Sequence, residues 1–163
     1  MQVEWYTPYK IIDLVKEVLG SIDIDPASND IAQKWINAKI IYTKDTNGLD
    51  KPWKGKVWIN PPYDTPTLRK FTKKFLEEYE NGNMVEGIML TNSGTDTQFN
   101  IPLQQGLQAY TNGRISFLSP SEQEIGKPSR GQLFTYLGPN PEKFIEVFTR
   151  DSFCWVPNLN MFL

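Results

Sequence analysis

Residues 56–66 read KVWINPPYDTP, an apolar, β-prone run that stops abruptly at Asn60-Pro61-Pro62-Tyr63. Each residue type there has a chemical use. Pro61 lacks a backbone N–H and pushes Asn60 into an extended conformation, and Pro62 does the same to Pro61, so the carbonyl directions are nearly fixed. A rigid pair of acceptors results: the Asn60 side-chain oxygen and the Pro61 carbonyl can take both hydrogens of an amino group and aim its nitrogen lone pair at an electrophile. Tyr63 can stack on the ring that bears the amine. Two prolines after a strand also make a plain sharp exit, and a tyrosine there a core lid. The position of the motif, after an apolar strand and before an amphipathic helix, favours the acceptor reading.

A second polar cluster lies upstream, in SIDIDPAS, residues 21–28. A carboxylate at a strand end, Asp23 or Asp25, can accept from an amine or a ribose hydroxyl, while a helix beginning at Ser28 offers free N–H groups. Taken alone, both aspartates read as turn or cap residues, and they gain weight only beside the first motif. The chain contains no histidine, and Cys154 is its single cysteine. Disulfides, His/Cys zinc sites and Cys-His or Ser-His-Asp nucleophiles are thereby excluded. Catalysis must run on carboxylates, amides, hydroxyls, backbone groups or a bound cofactor.

The elements that must carry these clusters follow from periodicity. Thr7-Pro8 starts a helix, with Thr7 as N-cap and Pro8 in the first turn, and Ile11, Leu14, Val15, Val18 and Leu19 form its apolar stripe before Gly20. Residues 21–25, 39–43, 56–60 and 86–91 read as strands, with a helix from Ser28 to about Trp35. Leu68, Phe71, Phe75, Leu76 and Tyr79 mark a longer amphipathic helix after the third strand. A short helix is expected over 102–107, strands over 114–118 and 132–137, and a last helix from Pro141. This alternation predicts an α/β fold with a central, mostly parallel sheet flanked by helices, in which ligands bind beyond the carboxyl ends of the strands. The two polar clusters then share one rim.

With 163 residues and no linker, repeat or low-complexity tract, a single domain spanning 1–163 is expected. No apolar run approaches the roughly 20 residues of a membrane helix. The start, MQVEWYTPYK, has neither a basic stretch nor an apolar one, so no secretion signal, no membrane association and a cytoplasmic location are expected. A net charge of -2 argues against a strongly basic coat and leaves room for a local patch. Arg69, Lys70, Lys73 and Lys74 place like charges at i,i+4 on one helix face, which a phosphate partner would explain. A solvated face neutralised by Glu77 and Glu78 is the alternative. Lys51, Lys54 and Lys56, and later Lys127 and Arg130, are secondary candidates.

Four elements, EWYTP (Glu4 to Pro8), DIDPAS (Asp23 to Ser28), GLDKPWKGKVWINPPY (Gly48 to Tyr63) and LTNSGTDTQF (Leu90 to Phe99), together resemble the small phage-type DNA N6-adenine methyltransferases (Dam-like). The resemblance covers nearly the whole chain. It implies a minimal, Rossmann-like methyltransferase fold and S-adenosylmethionine as cofactor. Trp5, Tyr6, Thr7 and Pro8 would close its methionine end, and Asp23, Asp25, Pro26, Ala27 and Ser28 would form the first cofactor loop. Asn60, Pro61, Pro62 and Tyr63 would be the catalytic loop, with Asn60 also beside the cofactor. The family's ribose-binding carboxylate falls best on Asp45, with Asp50 second. One departure stands out: relatives in the wider class carry glycines after the D-P pair, whereas Ser28-Asn29-Asp30 stand here and no glycine follows until Gly48, implying a tighter pocket or lower affinity.

The implied reaction is methyl transfer to the exocyclic amine of adenine in DNA, by a phage-encoded protein in a bacterial cytoplasm, with no metal. Arg69, Lys70, Lys73, Lys74, Lys127 and Arg130 would meet the DNA. The chain would act as a monomer or homodimer without a separate target-recognition domain, leaving the irregular 119–131 segment as the main spare surface and a short or relaxed sequence preference. Two alternatives are a methyltransferase for another amine, on an RNA base or a protein glutamine, and a catalytically inactive DNA-binding protein of the same fold.

Overall fold

Alternation along the central strands divides the interior into two cores. In β3 (Gly55–Ile59), Val57 and Ile59 face one side of the sheet and Trp58 the other. In β4 (Met84–Asn92), Met89 joins the first side while Ile88 and Leu90 join the second. These strands are buried on both faces, as a sheet covered by helices on each side requires. The computed structural model describes residues 4–157.

The remaining elements are α1 (Tyr9–Leu19), β1 (Ile24–Asp25), α2 (Gln33–Ile36), β2 (Ile40–Ile41), α3 (Thr65–Glu80), α4 (Asn100–Leu103), β5 (Leu107–Thr111), β6 (Gln132–Leu137), α5 (Pro141–Phe148) and β7 (Cys154–Trp155). The sheet order is β2-β1-β3-β4-β6-β5-β7. β1 pairs in parallel with β2 and β3, and β3 with β4, whereas β6 runs antiparallel to β4 and β5, and β7 antiparallel to β5. The architecture is a mixed α/β sheet flanked by helices.

On one face, Ile11, Ile12 and Val15 of α1 share a core with Phe144 and Phe148 of α5. On the other, Phe71, Phe75 and Leu76 of α3 pack with Leu103 of α4. Asp64 caps α3, its carboxylate accepting from Thr67 N at 3.1 Å, and Pro66 sits in the first turn, where its missing N–H costs nothing. This places the end of β3 and the start of α3 within a few residues of each other. The neighbours of β1 lie on opposite sides, β2 on one and β3 on the other, so a crevice opens between the ends of β1 and β3.

Five expectations need correction. The first strand is only Ile24–Asp25. No helix starts at Ser28; α2 is a single turn at Gln33–Ile36, because Asn29 Oδ1 accepts from Ala32 N at 3.0 Å and holds the preceding segment in a turn. Pro8, not Thr7, occupies the N-cap of α1. Residues 114–118 form no strand: Ile115 and Phe117 are buried in alternation, but the backbone there makes only isolated bridges, at Leu118, to Tyr6 and Glu124. The strand next to β6 is instead β5, which begins where a longer helix was expected.

Candidate active site

Because β1 ends at Asp25 and β3 at Ile59, the segments 25–28 and 60–63 emerge on one rim. Both line a cavity of about 810 Å³, within the range of small-molecule sites. Trp5, Tyr6 and Thr7 form another wall, while Phe117 and the 128–130 segment reach over it. The Tyr6–Leu118 bridge ties these two walls together, and Trp5 packs on Phe117 with ring centroids 5.5 Å apart.

The strand-exit loop is held by side chains from both ends of the chain. Asn60 Nδ2 donates to Thr7 Oγ1 at 3.2 Å. Asn60 Oδ1 accepts from the Tyr63 hydroxyl at 2.8 Å, and Gln132 Oε1 lies 3.3 Å from that same hydroxyl. Thr7 is itself buried, with its carbonyl accepting from the Trp35 indole at 3.0 Å. Pro61 is buried, and no donor among the described residues bonds its carbonyl. The two expected acceptors therefore stand at one cavity wall, with the Asn60 oxygen partly engaged by Tyr63. Burial pushes the Tyr63 phenol far above its usual range, so it stays a neutral donor.

Asp25 is 2% exposed. Its oxygens accept from Ala27 N at 3.3 Å and Gln33 Nε2 at 3.2 Å. Burial raises its acid to about 7, against the hydrogen bonds that favour the ionised form. The carboxylate thus shapes the 25–28 turn, and Asp25, Pro26, Ala27 and Ser28 all line the cavity. Gly48 also lines it, and a Cβ there would collide with the Pro26 carbonyl oxygen. The segment following β2 and the turn after β1 thus come into close backbone contact at the cavity.

Several expected residues stand elsewhere. Asp23 is not among the lining residues: it accepts from Lys56 N at 2.9 Å and pairs with Lys39 at 2.7 Å, fastening β1 to its neighbours. Asp45 is exposed and Asp50 binds Asn47 Nδ2; neither lines the cavity, and Thr43, Lys44 and Asn47 occupy the β2 exit instead. Pro8 also lies outside the lining.

Among the cations, Arg130 lines the cavity, while Arg69 and Lys70 are exposed on α3 and Lys127 on the 119–131 segment. Lys73 pairs with Glu77 at 3.6 Å on the surface. Lys74 is engaged within the fold, 2.7 Å from buried Glu78 and over the Trp53 ring. Sequence reasoning missed Trp58, a lining residue whose buried indole N–H has no acceptor among the described residues, and Gln132. Trp58 carries no local sign of a site, since an apolar strand accounts for it equally well.

Known proteins bear on this arrangement. The chain matches a "DNA N-6-adenine-methyltransferase" of Escherichia phage T1 at 33% identity over 97 residues, which cover 56% of this chain and 37% of the relative. The sequence model described as DNA N-6-adenine-methyltransferase (Dam) matches residues 1–150, most of the chain and every wall of the cavity. The chain belongs to the DNA N-6-adenine-methyltransferase (Dam) family.

Proposed function

We propose that this chain transfers a methyl group from S-adenosylmethionine to the exocyclic amine of adenine in DNA. The observation that carries the reading is that Asn60 and Pro61 stand side by side on one wall of the cavity, with no donor among the described residues bonding the Pro61 carbonyl. The residues present suit the cofactor: Glu4, Ser28 and Thr43 line the cavity with oxygens that amine and ribose groups would meet, and the Trp58 N–H has no acceptor among the described residues. Trp5 and Phe117 offer aromatic faces to a cation. Trp5, Tyr6, Thr7, Pro26, Ala27 and Ser28 would hold it, with Asn60 at its reactive end. When bound, S-adenosylmethionine supplies an electrophilic methyl group with a neutral leaving group.

The chain's own part is to hold the nucleophile. An adenine amine is weak because its lone pair is delocalised into the ring. Accepting both its hydrogens at Asn60 and Pro61 favours a pyramidal nitrogen and fixes its direction. Tyr63 would lie against the flipped base, and the released proton would pass to water. Extracting the base from a duplex costs a few kcal/mol. Arg69 and Lys70, one turn into α3 from the cavity-lining Asp64 and Thr67, would grip the backbone, together with the cavity-lining Arg130.

Incubation with labelled cofactor and DNA, followed by sequencing that reads N6-methyladenine by position, tests the reading. Label in adenine amines of DNA is expected, at a short or relaxed sequence. Label confined to RNA or protein, or no cofactor binding at millimolar concentration, would overturn it.

A further inference from the structure

We propose that Gln132, at the start of β6, is a positioning residue for the catalytic amide: it gives the Tyr63 hydroxyl a second acceptor, which releases Asn60 Oδ1 for the target amine. The inference rests on the methyl-transfer reading above. Gln132 is 1% exposed and opposes Asn92 across the β4–β6 ladder. Its Nε2 donates to Asn92 Oδ1 at 3.0 Å and to the Arg130 carbonyl at 3.3 Å. A backbone carbonyl can only accept, so this contact fixes which end of the amide is nitrogen. Oε1 is then turned to Tyr63, 3.3 Å from its hydroxyl.

The phenol has one proton and two acceptors within reach, Asn60 Oδ1 at 2.8 Å and Gln132 Oε1 at 3.3 Å. While it donates to Asn60, that oxygen offers one lone-pair direction and reduced acceptor strength. When a target amine arrives, donation to Gln132 restores both without leaving a partly buried hydroxyl unpaired. Asn60 keeps its orientation through Thr7, so only the phenol proton needs to turn.

The test is a double-mutant cycle read by single-turnover methyl transfer, begun by measuring transfer to DNA by the unaltered chain. No transfer there would overturn the functional reading and this inference with it. With transfer established, Gln132→Leu is expected to slow the step roughly tenfold, the equivalent of one neutral hydrogen bond, at unchanged cofactor affinity by calorimetry. In the Tyr63→Phe background the same change is expected to cost less than about twofold. Equal losses in both backgrounds would overturn the inference alone. A readout independent of activity and of Gln132→Leu folding is the Gln132 side-chain amide signal in 15N NMR without cofactor or DNA. It is expected to shift on Tyr63→Phe, and an unmoved signal would also overturn the inference.

Discussion

Thr7 and Asn60, 53 positions apart in sequence, meet through a 3.2 Å hydrogen bond from the asparagine nitrogen to the threonine oxygen. An amide side chain is nearly symmetric, and this contact helps decide which of its two ends faces the target. Thr7→Val is expected to lower turnover roughly tenfold while Thr7→Ser retains most of it, since only the hydroxyl matters. Steady-state kinetics on the two variants, with thermal melts as a folding control, checks this.

Asn60→Ala removes an acceptor made for developing charge, and a loss of on the order of 10²–10³ in kcat is expected. Calorimetric titration should show cofactor binding retained. Gly48→Ala is expected to do the reverse first: the added methyl meets the Pro26 carbonyl, so cofactor binding weakens and stability falls by about 1–3 kcal/mol. Equal loss of both properties in both variants would indicate misfolding.

Asp25 gives the stability a pH dependence with a definite sign. Its acid is raised to about 7 in the fold, against an ordinary value near 4 when unfolded. The folded state then binds the proton more tightly, so its contribution is favourable at low pH and is lost as pH rises from about 4 to about 7. Melting temperature measured across that window should carry a downward component, and Asp25→Asn should flatten it.

The cations of α3 separate into two kinds. Replacing Arg69 and Lys70 by alanine is expected to lower the salt dependence of DNA binding by roughly one unit of slope for each phosphate no longer neutralised, with little change in stability. Lys74→Met should leave that slope unchanged and cost about 2 kcal/mol, because Glu78 remains buried with its charge no longer matched. Binding isotherms at several salt concentrations and denaturant melts distinguish the two.

The exit from β3 was legible because its signals are local: an apolar run, two prolines, then a stripe with helical period. The 25–28 turn was legible for the same reason, although the burial of Asp25 and its bond from Gln33 were not, since both depend on tertiary packing. Lys74 looks like Lys70 in sequence; the buried Glu78, which also accepts from Trp53 N at 3.1 Å, sets it apart. Ile115 and Phe117 alternate as a strand would, yet tertiary pairing with the N-terminal segment decides their backbone. Gln132 has no spacing signature at all, because its partner Tyr63 lies 69 positions away.

The Tyr6–Leu118 bridge carries a consequence for synthesis on the ribosome. A wall contributed by Tyr6 and its neighbours is completed by residues that leave the exit tunnel much later, and β6 later still. Half-made chains therefore lack an assembled centre, and any proteolytic nick in the 119–131 segment should silence the protein by letting its two walls part.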